Sequence, residues 1–312
     1  MTTPIIIDCD PGVDDSYAIA MAAACPQFDI VAITAVEGNV PALLTRGNAL
    51  CLADTLGIDC RVAFGAERPL RKAYDRTAAN VHGASGVGNV AFREPVKEPD
   101  REPAWDVIYE EAVKAEGRLI LFATGPLTNI AIALREHPDL PEYIHRFCIM
   151  GGGTFGNITE FAEFNAWIDP TAAREVFEQM PVEMIGLNIT HAASLNEDDF
   201  RDLLAIEGES RASRMLHDLA TFSEERSRVP GSDNNVIHDA VAVASVINPD
   251  LVTFEERYVY VEDGDDAENI GQTVIAPPDD ERMPKHKVGM EVDRDAFAAM
   301  LKDVFRHYAH EH

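Results

Sequence analysis

Lysine is scarce in this chain: 6 lysines stand beside 20 arginines, and these 26 cations face 54 acids across 312 residues. The net charge of −28 argues against the basic face that nucleic-acid or anionic-membrane binding requires. Long hydrophobic runs are also missing, since no apolar stretch approaches the roughly 20 residues of a membrane span. The amino terminus has no basic segment ahead of its short Ile5-Ile6-Ile7 run, so no signal peptide is expected. Cys9, Cys25, Cys51, Cys60 and Cys148 form an odd set without paired spacing, which fits reduced thiols in a cytoplasmic protein. The chain also lacks a GxGxxG after a strand, a Walker A loop, zinc-type Cys/His spacing and a G-x-S-x-G elbow.

What is present is an alternation of strand and helix patterns. Apolar β-branched runs occur at Ile5–Ile7, Ile30–Val36, Arg61–Gly65, Leu119–Ala123, Ile144–Met150 and Val182–Leu187. Helical patterns separate them, and further strands are expected at Leu251–Val261, Thr273–Ala276 and Lys287–Val292 before a final helix from Asp295. Residues 66–103, rich in Gly, Pro and charge, read as a long excursion of the functional or disordered kind. With no clear linker, residues 1–312 are expected to form a single α/β domain with a mainly parallel central sheet flanked by helices.

In such sheets ligands bind beyond the carboxyl ends of the strands. The unusual polar clusters of this sequence fall there: Asp8/Asp10, Glu37–Asn39, Thr124, Met150–Asn165 and Asn188–His191. Distant segments should therefore converge on one edge. The most crowded is Asp8-Cys9-Asp10-Pro11-Gly12-Val13-Asp14-Asp15, where a strand ends and a helix begins. Neighbouring carboxylates repel by about 4 kcal/mol per pair at an effective dielectric of ~20. A helix amino terminus offsets only part of that, and no Lys or Arg lies in the stretch. A hard cation with oxygen ligands, Ca²⁺ or Mg²⁺, would relieve it; a solvated Asp-rich turn is the competing reading.

The other candidates are open in the same way. Asp239 can be a ligand or the N-cap of a helix, and His238 a functional group or an ordinary loop histidine. The Thr124 carbonyl can be a ligand or part of a simple turn. Asn157, Glu163 and Asn165 have the amide and carboxylate groups that bind vicinal hydroxyls, or they cap a loop. His82, in His82-Gly83-Ala84-Ser85-Gly86, lies in a lid or merely in a flexible segment.

Taken together these motifs resemble the nucleoside hydrolases, the inosine-uridine-preferring group especially. The octet Asp8–Asp15 matches that family's N-terminal signature. Glu37-Gly38-Asn39, Ala123-Thr124-Gly125-Pro126-Leu127-Thr128-Asn129, Met150-Gly151-Gly152-Gly153 with Glu163-Phe164-Asn165, and His238-Asp239 follow in order. The resemblance implies a Rossmann-like fold and hydrolysis of ribonucleosides to ribose and a free base. It implies one Ca²⁺ per subunit, held by Asp10, Asp15, Asp239 and the Thr124 carbonyl. It further implies Asp10 as general base, His238 as leaving-group acid, and substrate contacts from Asp14, Asn39, His82, Met150, Asn157, Glu163 and Asn165. The implied assembly is a homodimer or homotetramer; no nucleic-acid or membrane partner is expected.

Two features depart from the family pattern. Asn188 stands where an aspartate is common, and the helix Leu216–Arg228 carries Phe222, Arg226 and Arg228 instead of tyrosines. Base preference is therefore not fixed by the sequence. Two other readings compete: a nucleoside or ribose binder without turnover, and a phosphotransferase with an aspartate nucleophile. The second would want a nearby lysine, yet the nearest is Lys72.

Overall fold

The computed structural model describes residues 2–310, apart from 72–77, 89, 227–230, 233, 265–266 and 284. In chain order the elements open with β1 (Thr3–Cys9), α1 (Val13–Ala24), β2 (Phe28–Ala35), α2 (Ala42–Thr55), β3 (Arg61–Phe64) and α3 (Ala79–His82). Next come α4 (Ala104–Ala115), β4 (Leu119–Ala123), α5 (Thr128–Glu136), β5 (Ile144–Met150), α6 (Phe164–Ile168), α7 (Pro170–Gln179) and β6 (Glu183–Ile185). The chain closes with α8 (Leu187–Ala192), α9 (Glu197–Leu204), α10 (Arg211–Arg226), α11 (His238–Ile247), β7 (Val252–Arg257), β8 (Val259–Val261), β9 (Thr273–Ile275), β10 (His286–Val292) and α12 (Arg294–His310).

Among the described residues the main sheet has eight strands in the order β3-β2-β1-β4-β5-β6-β10-β7. Every neighbouring pair is parallel except β10–β7 at the edge. The expected mainly parallel, helix-flanked α/β sheet is thus what forms. Alternation along β1 divides its side chains between two cores. Ile5, Ile7 and Cys9 face the layer built from α1, α2, α10, α11 and α12, whereas Ile6 packs with α4, α5 and α7. Strand order reverses between β1 and β4, which makes a switch-point crevice at their carboxyl ends. Asp8 and Asp10 lie on one side of that crevice and Thr124 on the other.

Three local expectations change. The run Leu251–Val261 breaks at Tyr258: β7 joins the main sheet, while β8 pairs with β9 in a separate two-stranded sheet. Residues 188–191, expected as a strand-end loop, form part of α8. Asp239 is not an N-cap, because Ile237 holds that place and Asp239 is the second residue of α11.

Candidate active site

Asp10 sits in a cradle that only glycine can line. A Cβ on Gly38 would come within 2.0 Å of Asp10 Oδ2, and one on Gly125 within 2.9 Å of Oδ1. Oδ2 accepts from the Asn39 backbone N–H at 2.6 Å. Oδ1 is buried without a hydrogen-bond partner. Burial, then the charge of Asp15, push this carboxyl well above the usual carboxylate range.

The acids of α1 are tied to three other segments. Asp15 accepts from the Gly12 backbone N–H at 2.8 Å, the Thr124 hydroxyl at 2.7 Å and the Asn39 amide at 3.4 Å. Burial raises the Asp15 carboxyl above its ordinary value, and the bonds from Thr124 and Gly12 and the neighbouring Asp239 carboxyl draw it partly back. Burial raises Asp239, and the charges of Asp15, Asp14, Asp10 and Glu163 raise it further. Asp14 accepts from the His238 backbone N–H at 3.0 Å, and burial lifts its carboxyl to about 7. Helices α1 and α11 pack together with both amino ends at this crevice, so free N–H groups of two helices face the acids.

The opposite wall comes from the segment after β5. Glu163 is the N-cap of the short α6 and accepts from Asn165 N (3.0 Å), Gly152 N (2.9 Å) and Ala166 N (3.3 Å). The Asn165 amide donates to the Thr124 carbonyl at 2.8 Å and to the Met150 carbonyl at 3.0 Å. The Thr124 carbonyl keeps a second lone pair for another partner. Residues from β1, α1, β4, β5, α6 and α11 thus meet, as the strand-end argument requires.

Not every candidate joins the buried cluster. Asn157 is exposed on the loop after β5, its backbone N–H bonded to the Ala162 carbonyl. His82 is buried, and its Nδ1 accepts from Val13 N at 3.2 Å at the start of α1; burial pushes the ring down to about 4. His238 meets Thr190 Oγ1 through Nδ1 at 2.8 Å. Burial, then the neighbouring His191 and His82, push it down to about 3, so the ring is neutral near pH 7. Arg228 and residues 229–230 and 233 of the polar loop lie outside the described residues.

Other residues at this edge gained meaning only from contacts. Asn129 donates to Asp8 Oδ1 at 2.7 Å and accepts from Ala66 N at 2.8 Å, while Thr34 donates to the same Asp8 oxygen at 2.6 Å. Asp8 therefore pins β2 and α5 to the strand end. Thr190 and His191 flank His238, and Phe155 lies against His191, inside two of the polar clusters that the sequence marks.

Among the described residues no three His, Cys, Asp or Glu side chains close into a finished metal cage. The fit to a cation rests on donor chemistry: an unpaired buried Asp10 oxygen, the buried Asp15 and Asp239 carboxyls, and an adjacent Thr124 carbonyl. All are hard oxygen donors.

The family model for inosine-uridine preferring nucleoside hydrolase matches residues 5–299. A pyrimidine-specific ribonucleoside hydrolase, RihA, of Escherichia coli (strain SMS-3-5 / SECEC) is 36% identical, with 99% of this chain and all of that protein covered. Among solved structures, a plant nucleoside hydrolase superposes with a TM-score of 0.89 at 30% identity, covering 98% of this chain and 99% of that one. A purine-preferring ribonucleoside hydrolase from Gardnerella vaginalis superposes with a TM-score of 0.88 at 28% identity, covering 97% and 99%. With a family match across nearly its whole length and the family's strand-end segments meeting in one crevice, the chain belongs to the inosine-uridine preferring nucleoside hydrolases.

Proposed function

We propose that this nucleoside hydrolase cleaves the N-glycosidic bond of ribonucleosides with Asp10 as general base, His238 on the leaving-group side and Ca²⁺ as its metal. The observation that carries the reading is a buried group of acids, Asp10, Asp14, Asp15, Asp239 and Glu163, with no Lys or Arg hydrogen-bonded to any of them among the described residues. Asp10, Asp15, Asp239 and the Thr124 carbonyl would hold the cation. When bound, it would fix the ribose diol and lower the pKa of a coordinated water.

The chain's own groups have distinct tasks. Breaking the bond builds positive charge on the sugar ring, as in other glycoside hydrolyses. A fixed acidic wall favours that charge where it develops. Asp10 Oδ1, without a protein partner, takes a proton from the attacking water. Asp14, Asn39, Met150, Glu163 and Asn165 shape the ribose pocket, with Asn157 at its exposed rim and His82 at the start of α1. The departing base carries developing negative charge. That charge raises the proton affinity of the neutral His238 ring beside it, so the ring takes a proton from solvent and hands it to the base, while the proton held by Asp10 returns to solvent.

The names of the similar proteins point to both pyrimidine and purine substrates. Turnover of uridine, cytidine, inosine and adenosine by calcium-replete protein, followed as released base and reducing sugar, tests the reading directly. Release from at least one is expected. Silence across the whole panel would reject it. Assembly as a homodimer or homotetramer belongs to the same proposal and is read by sedimentation.

A further inference from the structure

The loop after β5 carries a large apolar side chain outward at the crevice. Phe155 is 38% exposed. A lone exposed apolar residue is ordinary on a protein surface, but this one has unusual neighbours. Its ring lies 5.2 Å from that of His191, tilted by 59°. The His191 ring lies 5.8 Å from that of His238, tilted by 49°. Three rings therefore run in file from solvent to the residue whose backbone N–H holds Asp14.

The support beneath Phe155 is fixed. Gly153 N donates to Thr273 Oγ1 at 2.9 Å, and the same hydroxyl donates back to the Gly153 carbonyl at 3.1 Å. Leu187 N, at the start of α8, donates to the Gly152 carbonyl at 2.9 Å. A Cβ on Gly156 would meet Ala162 N at 2.3 Å, so the chain turns tightly straight after Phe155. The loop that carries Phe155 and the helix that carries Thr190 and His191 are therefore bonded together.

A planar heteroaromatic group leaving toward His238 has few apolar surfaces to lie on, because the crevice beneath it is mostly acid and amide, with Met150 on the ribose side. Rings pack best offset or edge-on at such separations. We propose that Phe155, backed by His191, is the stacking surface for the nucleobase, and that Phe155 is a specificity-determining residue. This rests on the N-ribohydrolase reading only for the identity of the ligand.

C-linked ribonucleosides separate binding from cleavage, because they lack the N-glycosidic bond. Pseudouridine and formycin B, the C-linked counterparts of uridine and inosine, are titrated calorimetrically into calcium-loaded wild type and Phe155→Ala, with ribose alone as control. At least one C-nucleoside is expected to bind about tenfold more weakly to Phe155→Ala, with ribose affinity unchanged and Phe155→Tyr close to wild type. On the matching N-nucleoside, KM should rise with kcat little altered. Unchanged binding of both C-nucleosides overturns the proposal, and so does a parallel loss of ribose affinity, which would mean that the loop has collapsed. Wild type that binds a C-nucleoside in the expected way yet releases no base from any nucleoside would sink the hydrolase reading and leave the stacking surface standing.

Discussion

Glu183 and Asp239 are both buried acids of one molecule, at opposite edges of its sheet, and they are treated in opposite ways. Glu183, at the amino end of β6, receives Arg146 at 2.6 Å and Lys287 at 2.9 Å from the strands on either side. Burial alone would raise its carboxyl, but hydrogen bonds from Arg146 and Lys287, and their charge, hold it below the usual carboxylate range. Asp239, at the carboxyl edge, has Asp15, Asp14, Asp10 and Glu163 as its charged company, and it is held high. A chain with only 26 cations spends two of them on a carboxylate that only has to stay in place. Among the described residues it gives none to the crevice acids. Buried charges without internal partners are costly, so their persistence marks the edge where charge arrives from outside.

The most severe way to break this contrast is to remove the acid with the unpaired oxygen. Asp10→Ala should lower kcat by about 10²–10⁴, the usual worth of a positioned general base, while the melting transition remains cooperative. Base release and a thermal melt read the two properties separately. Turnover close to wild type would mean that Asp10 is as structural as Glu183, and the proposed base would be wrong.

Metal removal comes next in size. With chelator present the acids must share protons or repel, so wild type should melt several degrees lower than in excess calcium. A ligand at a hundred times its Kd contributes ~2.7 kcal/mol. Asp239→Asn takes one carboxylate from the crowd. It should melt above wild type in chelator and gain little from calcium, and it should be nearly inactive in both. Identical melting of wild type with and without calcium would show that the cluster holds no such ion. An equivalent substitution at Glu183 should show no calcium dependence at all.

The same contrast explains how much was legible beforehand. The switch-point edge could be read because the strands there run into polar or glycine residues that a buried run would otherwise exclude: Asp8 and Asp10, Asn39, Thr124, and Gly151. Which acid does what could not, since Asp8, Asp10, Asp14 and Asp15 are alike until partners are known. Asp8 turns out to be fixed by Thr34 and Asn129 and lifted to about 7 by burial. Helix α8 was hidden because Asn188, Ile189 and Thr190 are poor helix formers, and packing against β10 and α11 overrides that preference. The break at Tyr258 was hidden for the converse reason: Val252 to Val261 is rich in strand formers, and only the change of sheet separates β7 from β8. Phe155 and His191 lay within marked polar clusters, but their proximity to His238 is a long-range contact without a local signal.

The smallest expected effect lies on the partnered side of the contrast. Arg146→Met keeps much of the side chain's length and removes the guanidinium from Glu183; Lys287 remains. A hydrogen bond to a charged group is worth ~1.5–3 kcal/mol, and with one partner left the loss should be about 1–2 kcal/mol, a few degrees of melting temperature for a chain of this size. The sign of its pH dependence follows from the lowered carboxyl. Stability from a depressed acid is complete above the unfolded value of ~4.3 and is lost as pH falls through the folded one. The deficit of Arg146→Met should therefore be full at pH 6–7 and shrink once pH falls through the folded-state value, beneath which protonated Glu183 draws nothing from Arg146 in wild type either. Activity at neutral pH should be unchanged, because Arg146 touches no residue of the crevice. A deficit that never declines at any acid pH where the protein stays folded would mean that the alkyl stem of Arg146 supplies the stability. Glu183 would then be no example of a carboxylate held by its cations.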